Sequence, residues 1–169
     1  MRKKDRTFYA QGLLLHLLKD RHIQTDKLAL HPRTAYELHE QFLPIIRDEF
    51  TGRVPNADDL IADFQFHNRK QVPLEDVYGD LELMRLNPER QLDAILEDDR
   101  HIWWKRFRER FPQLAGTFSV SAPGVSMDYS HGMIGIGVSH GTLSGSGGWF
   151  VYSNQESQWK EVGSVPWIS

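Results

Sequence analysis

Cysteine does not occur in the sequence. Its absence removes a disulfide framework and thiolate chemistry, and leaves the compartment unspecified. Long apolar runs are missing too, since no stretch approaches the ~20 residues that a membrane-spanning helix requires. Charge of one sign is the third absence. Twenty Lys and Arg stand against 23 Asp and Glu, a formal net charge of −3, so bulk electrostatics draws the protein neither to nucleic acid nor to an anionic membrane. Neither is expected as a partner.

What is present is ordinary globular composition. A chain of 169 residues, 40% hydrophobic and 25% charged, can bury roughly two thirds of its unfolded surface without help from a metal or a disulfide. The opening MRKKDR followed by GLLLHLL imitates a secretion signal. The apolar run is short, contains His16, meets Lys19, Asp20, Arg21 and His22, and lacks a small-residue cleavage site, so it reads as an amphipathic helix with Leu14, Leu17 and Leu18 inward. A cytoplasmic protein is the expectation.

Helical periodicity runs through the first two thirds. Ala35, Leu38, Phe42, Ile45, Ile46 and Phe50 recur at a spacing that predicts a helix over 34–50, capped by Thr34 with Glu37 and either kinked by Pro44 or split in two near Leu43. Another helix is predicted after Asn56 as N-cap, with Leu60, Ile61 and Phe64 inward. Pro73 argues against a regular helix between His67 and Gly79. Leu81 to Leu86 fits a strand or a short helical turn, with the strand preferred, and Asn87-Pro88 is read as the start of further helix. The acidic run Glu97-Asp98-Asp99 sits where a helix dipole favours carboxylates, so Asp98 to Phe111 is predicted helical. Ile102, Trp103, Phe107 and Phe111 would face inward and Trp104 outward.

After Gly116 the texture changes to β. Phe118 and Val120 alternate with serines, Pro123-Gly124 marks a turn, and Met133 to Ser139 alternates large residues with glycine, which predicts a strand packed against something bulky. Trp149 to Tyr152 and Trp159 to Ile168 supply two more strands. The fold class predicted is α+β: N-terminal helices packed on one face of a C-terminal antiparallel sheet of about four strands. One domain spans 1–169, mainly helical over 1–115 and a β-meander over 116–169. Phe118 and Trp159 are placed between sheet and helices, so Trp159→Ala should cost roughly 3–5 kcal/mol.

Several residues of this region form a recognisable pattern: Trp103, Phe107, Phe111-Pro112, Gly116, Phe118-Ser119 and Pro123-Gly124-Val125-Ser126, then Gly141, Leu143, Gly145 and Gly147, and finally Trp159 and Trp167-Ile168-Ser169. This resembles a recurrent C-terminal signature in a group of uncharacterised bacterial proteins, over roughly the last 70 residues, with a weaker likeness from Asn68 to Leu74. The resemblance implies a fold and carries no catalytic residue. Pro123 stands where the group has a basic residue, His131-Gly132 replaces a polar-apolar pair, and Gly135 and Gly137 thin the second strand.

Candidate chemistry is sparse. The stretch Ser139 to Gly148 (SHGTLSGSGG) could present backbone N–H groups to a ligand, but phosphate loops need a following helix and a nearby Lys. Here no Lys occurs between Lys105 and Lys160, so a bulged hairpin is the simpler reading. Asp128, His131 and His140 could converge at one sheet end, yet their spacing matches no metal signature. Ser139 and Ser144 complete the candidate ligand contacts, and a hydrolytic triad lacks its nucleophile elbow. Trp104 and Arg108 are the candidate partner surface. No catalytic residue, metal or cofactor is expected. The function expected is non-enzymatic, through contact with another protein, as an immunity or accessory factor. The alternative is a small-molecule binding protein or hydrolase using a cleft beside the 139–148 hairpin.

Overall fold

The computed structural model describes residues 3–34, 40–81, 100–155 and 158–168. Helix α1 (Lys3–Asp20) opens the chain, and Ala10, Leu13, Leu14 and Leu17 along one side of it are fully buried. It stops where His22 turns left-handed at φ 52° and Ile23 N–H bonds back to Leu18 C=O. That is a Schellman ending, with Ile23 tucked against the same apolar cluster. Strand β1 (Leu28–Leu30) follows, then α2 (Leu43–Phe50), α3 (Ala57–His67) and α4 (Leu74–Tyr78). Helix α5 (Arg100–Arg110) leads into β2 (Gly116–Val120), β3 (Gly124–Val125), β4 (His131–Gly141), β5 (Ser144–Gln155) and β6 (Gln158–Ile168).

The α+β class holds, with a larger sheet than expected. Among the described residues six strands are joined, in the order β1-β2-β4-β5-β6, with β3 paired to β4 off this path. The antiparallel meander β4–β5–β6 is as the alternation predicted. Strand β1 is the addition: it comes from the helical half and pairs parallel to β2, Leu28 opposite Gly116 and Leu30 opposite Phe118.

Helices cover both faces of the sheet rather than one. Phe118, Val120, Ile134, Ile136, Phe150 and Tyr152 pack with α1 and with Leu74 and Tyr78 of α4. Met133, Trp149, Val151 and Val165 pack with Ile46 and Phe50 of α2 and Leu60, Ile61 and Phe64 of α3. The two sets interleave along β4 and β5, as opposite faces of a pleated strand must. Gly135 and Gly137 of β4 face the second layer: a Cβ at Gly135 would lie 3.2 Å from Trp149, and one at Gly137 3.2 Å from Trp167. These two tryptophans are the bulk that the glycine alternation implied. Helix α5 sits beside Ala29 of β1 through Phe107 and Phe111.

Several local expectations change. Pro44 lies in the first turn of α2, where proline is tolerated; the helix begins at Leu43, after a 3-10 turn over Glu40–Phe42, so the break falls where Pro44 placed it. Asn56 precedes α3 in a left-handed conformation without a side-chain cap bond. Thr34 uses its hydroxyl to accept the Val72 N–H at 3.1 Å, which ties two loops. Pro73 does not exclude helix but immediately precedes α4. Ile45 and Ile102 are exposed, Trp159 and Trp103 are half-buried, and Trp104 is half-buried against Trp103 and Phe107 rather than outward. The strand read over 81–86, apart from Leu81, the helix after Asn87-Pro88, the acidic run at 97–99 and the residues Ala35, Glu37 and Leu38 lie outside the described residues.

Candidate functional site

The residues that sequence reading grouped together are separated by the fold. Asp128 sits in the turn between β3 and β4. Its Oδ1 accepts hydrogen bonds from Ser126 Oγ (2.7 Å), Ser130 Oγ (2.7 Å) and Ser130 N–H (3.0 Å). Those bonds hold its carboxyl at about 2, below the ordinary range. His131 opens β4, with Nδ1 2.7 Å from Ser130 Oγ and its N–H bonded to Ser126 Oγ at 2.9 Å. Burial lowers the imidazole's proton affinity, opposed by the charge of Asp128. Within this network Tyr129 takes a left-handed φ of 61°. The serines serve the turn, a common use of Asp and Ser side chains.

His140 lies near the other end of β4. Nine residues of strand at ~3.3 Å each place it about 30 Å from His131. Its Nδ1 is 3.2 Å from Ala115 C=O, and its own C=O accepts a bond from Arg108 Nη2 at 2.9 Å. Asp128, His131 and His140 therefore do not converge. The 139–148 stretch is a hairpin with Thr142-Leu143 at its tip. Ser139 is paired with Gly145 and Gly141 with Ser144 around a bulge, and Ser144 is exposed. Of the predicted partner surface, Arg108 is exposed and bonds α5 to the hairpin, and Trp104 packs in the aromatic cluster of its own helix.

A site that sequence reading missed lies between α1, α3 and α4. It is a groove of about 690 Å³, a volume within the range of ligand sites. Helix α1 contributes Arg6, Thr7 and Ala10, and the end of α3 with the loop after it contributes Phe66, His67, Arg69, Lys70 and Val72. Asp76 and Val77 of α4 form a further wall, with Ala122 and Pro123 beyond β2.

Buried polar contacts hold these elements in place. Asn68, 2% exposed, donates from Nδ2 to Phe64 C=O and Ala122 C=O, both at 2.8 Å, and accepts the Ala122 N–H at 2.9 Å. It staples the end of α3 to the segment between β2 and β3. Arg6 Nη2 reaches Asp63 Oδ2 at 2.7 Å and Pro123 C=O at 2.8 Å, while Asp63 also accepts the Val125 N–H at 2.8 Å and lies 3.5 Å from His67 Nε2. Burial alone would raise the Asp63 carboxyl. The bonds from His67, Arg6 and Val125 more than offset it and hold the group at about 2. On the α4 side, Tyr78 O–H donates to Ser121 C=O and Gln11 Nε2 to Tyr78 C=O.

The rim differs in character from this frame. Phe66 is 56% exposed, and the Arg69 guanidinium lies 4.4 Å over its ring, a cation–π contact. Among the described residues, Lys70 makes no hydrogen bond or ion pair. Arg6 is neutralised by Asp63, so Arg69 and Lys70 are the available cations, with Asp76 the acid on the α4 wall. The one signal in the sequence was Phe66, an aromatic off the Leu60–Ile61–Phe64 stripe and next to a basic pair. No protein-family model, no curated protein and no solved structure matches this chain.

Proposed function

We propose that this is a non-enzymatic bacterial protein that works by contact with another protein, as an immunity or accessory factor, and that the groove between α1, α3 and α4 is where the contact is made. The observation that carries this reading is the exposed Phe66, covered by Arg69 and followed by Lys70, at the mouth of an apolar groove on a firmly bonded frame. An exposed aromatic beside Arg is the composition that dominates protein interfaces. A ready frame also lowers the ordering cost of association. The 139–148 hairpin supports the alternative less well, because its backbone groups are engaged in the ladders with β4 and β6.

The test is a pull-down from the native host with three baits: the parent protein, the double variant Phe66→Ala/Lys70→Glu, and Arg108→Ala. The expected result is a partner held by the parent and by Arg108→Ala and lost by the groove variant. A partner kept by the groove variant and lost with Arg108→Ala would move the contact to α5 and refute the assignment.

A further inference from the structure

We infer that the segment of the partner held in this groove is acidic and apolar, with a carboxylate at the Arg69–Lys70 rim and a bulky apolar side chain against Phe66. The inference rests on the reading above and goes beyond it by naming the chemistry of the occupant. Three observations converge on it. First, the half-buried Val72 and Val77 line the groove, with Ala10 and Ala122 buried behind them, a surface that an apolar group covers without losing hydrogen bonds to water. Second, Phe66 extends that surface outward, exposed on its free side. Third, the cations at the mouth are not matched by local acids. Arg6 is paired with Asp63, whereas Lys70 has no partner among the described residues and Arg69 rests on a ring. Among the described residues Asp76 of α4 is the one carboxylate in the lining, against Arg69 and Lys70, so the mouth keeps a cationic excess that suits an anion.

The protein as a whole is mildly acidic, with net charge −3. A local cationic rim on such a chain orients an acidic segment without attracting nucleic acid in general. Arg69 carries its guanidinium 4.4 Å over the Phe66 ring, and its fork of donors suits a carboxylate.

The experiment uses the intact protein and fluorescein-labelled blocked decapeptides. In one peptide Glu alternates with Leu, in the second Gln replaces Glu, and in the third Ser replaces Leu. Fluorescence anisotropy reads affinity, and amide NMR shifts locate the contact. The expected result is saturable binding of the Glu/Leu peptide, with shifts confined to residues 66–77, 122–123 and the start of α1. Lys70→Glu should weaken it about fivefold, the scale of one exposed charge pair, and added salt should weaken it further. Phe66→Ala should weaken it as well, while Arg108→Ala should not. Equal binding of the Gln peptide, or shifts outside the groove, would overturn the inference. So would displacement of the Glu/Leu peptide by hexanoate at comparable concentration, which would make the groove a small-molecule site. If no peptide binds while the groove variant still loses its partner in the pull-down, the acidic-apolar assignment fails and the protein-contact reading stands.

Discussion

Asn68 offers the most direct test of how the groove is held. Its side chain makes three hydrogen bonds in a buried setting, two of them to the N–H and C=O of Ala122. Asn68→Ala removes all three. Phe64 C=O keeps a bond from the Asn68 backbone N–H, so the groups stranded are the two of Ala122. Leaving a buried polar group without a partner costs ~1–3 kcal/mol, so the variant should lose about 3–5 kcal/mol. For a chain of this length that is on the order of a 10 °C fall in Tm. Asn68→Asp separates the bonding from the space filled. A carboxylate can still accept the Ala122 N–H but faces two carbonyl oxygens that can only accept, so at pH 7 it should be at least as destabilising as Ala. Burial beside those oxygens raises the new carboxyl's folded pKa above its unfolded value. Its deficit should therefore shrink as the pH falls through that raised value towards about 4, the unfolded carboxyl's range, and change little below it, because the protonated form can donate one bond. Guanidinium titration followed by tryptophan fluorescence at pH 7 and pH 3.5 measures both effects. A loss under about 1 kcal/mol for Asn68→Ala would refute the staple, as would an Asp variant with parent-like stability at pH 7.

Other outcomes follow from the same packing. At Gly124 an added Cβ would lie 2.6 Å from Phe64 Cβ and 2.8 Å from its Cα and N; Gly124→Ala should cost about 2–3 kcal/mol because α3 must move. Gly141→Ala, where the nearest atom is 4.0 Å away, should change urea stability by less than about 0.5 kcal/mol. Trp159 packs edge-on to Tyr9 at 4.7 Å but is only half-buried, so Trp159→Ala should cost about 2 kcal/mol in the same melts, below the 3–5 of a fully buried tryptophan. For Asp63, with a folded value of about 2, the contribution to stability is present above about pH 4 and lost as the pH falls towards 2. Asp63→Asn should be less stable than the parent by about 1–2 kcal/mol at pH 7, after allowance for solvent screening, and the gap should close near pH 2. A gap that persists there would mean that packing, not charge, ties Asp63 to Arg6.

The fold was legible where the information is local. Ala10, Leu13, Leu14 and Leu17 repeat at helical spacing, Leu60, Ile61 and Phe64 do the same, and alternation marks β4 to β6. The glycine–large alternation of β4 even announced its heavy cover, which proved to be Trp149 and Trp167. One signal of the second helical layer was present and went unread. Trp149 to Tyr152 is apolar at four successive positions, all of them buried, a run that fits a strand covered on both faces better than one covered on one.

Tertiary structure alone decided the rest. Leu28-Ala29-Leu30 is too short to show any period, and only its pairing with β2, far along the chain, makes it a strand; Gly116 in turn lets β2 lie close to β4, since a Cβ there would fall 2.1 Å from Ser139 C=O. The distance between His131 and His140 is set by the extended strand that joins them, so nearness in sequence became remoteness in space. The groove gathers residues 6–10, 66–77 and 122–123 from segments with no shared pattern. Helix packing across the sheet brings them together, and Asn68 and Arg6 fix the spacing through bonds to backbone far along the chain. Periodicity reports only which side of its own element a residue faces. Which segments meet there depends on how those sides are buried together, and for the groove that was settled by long-range packing.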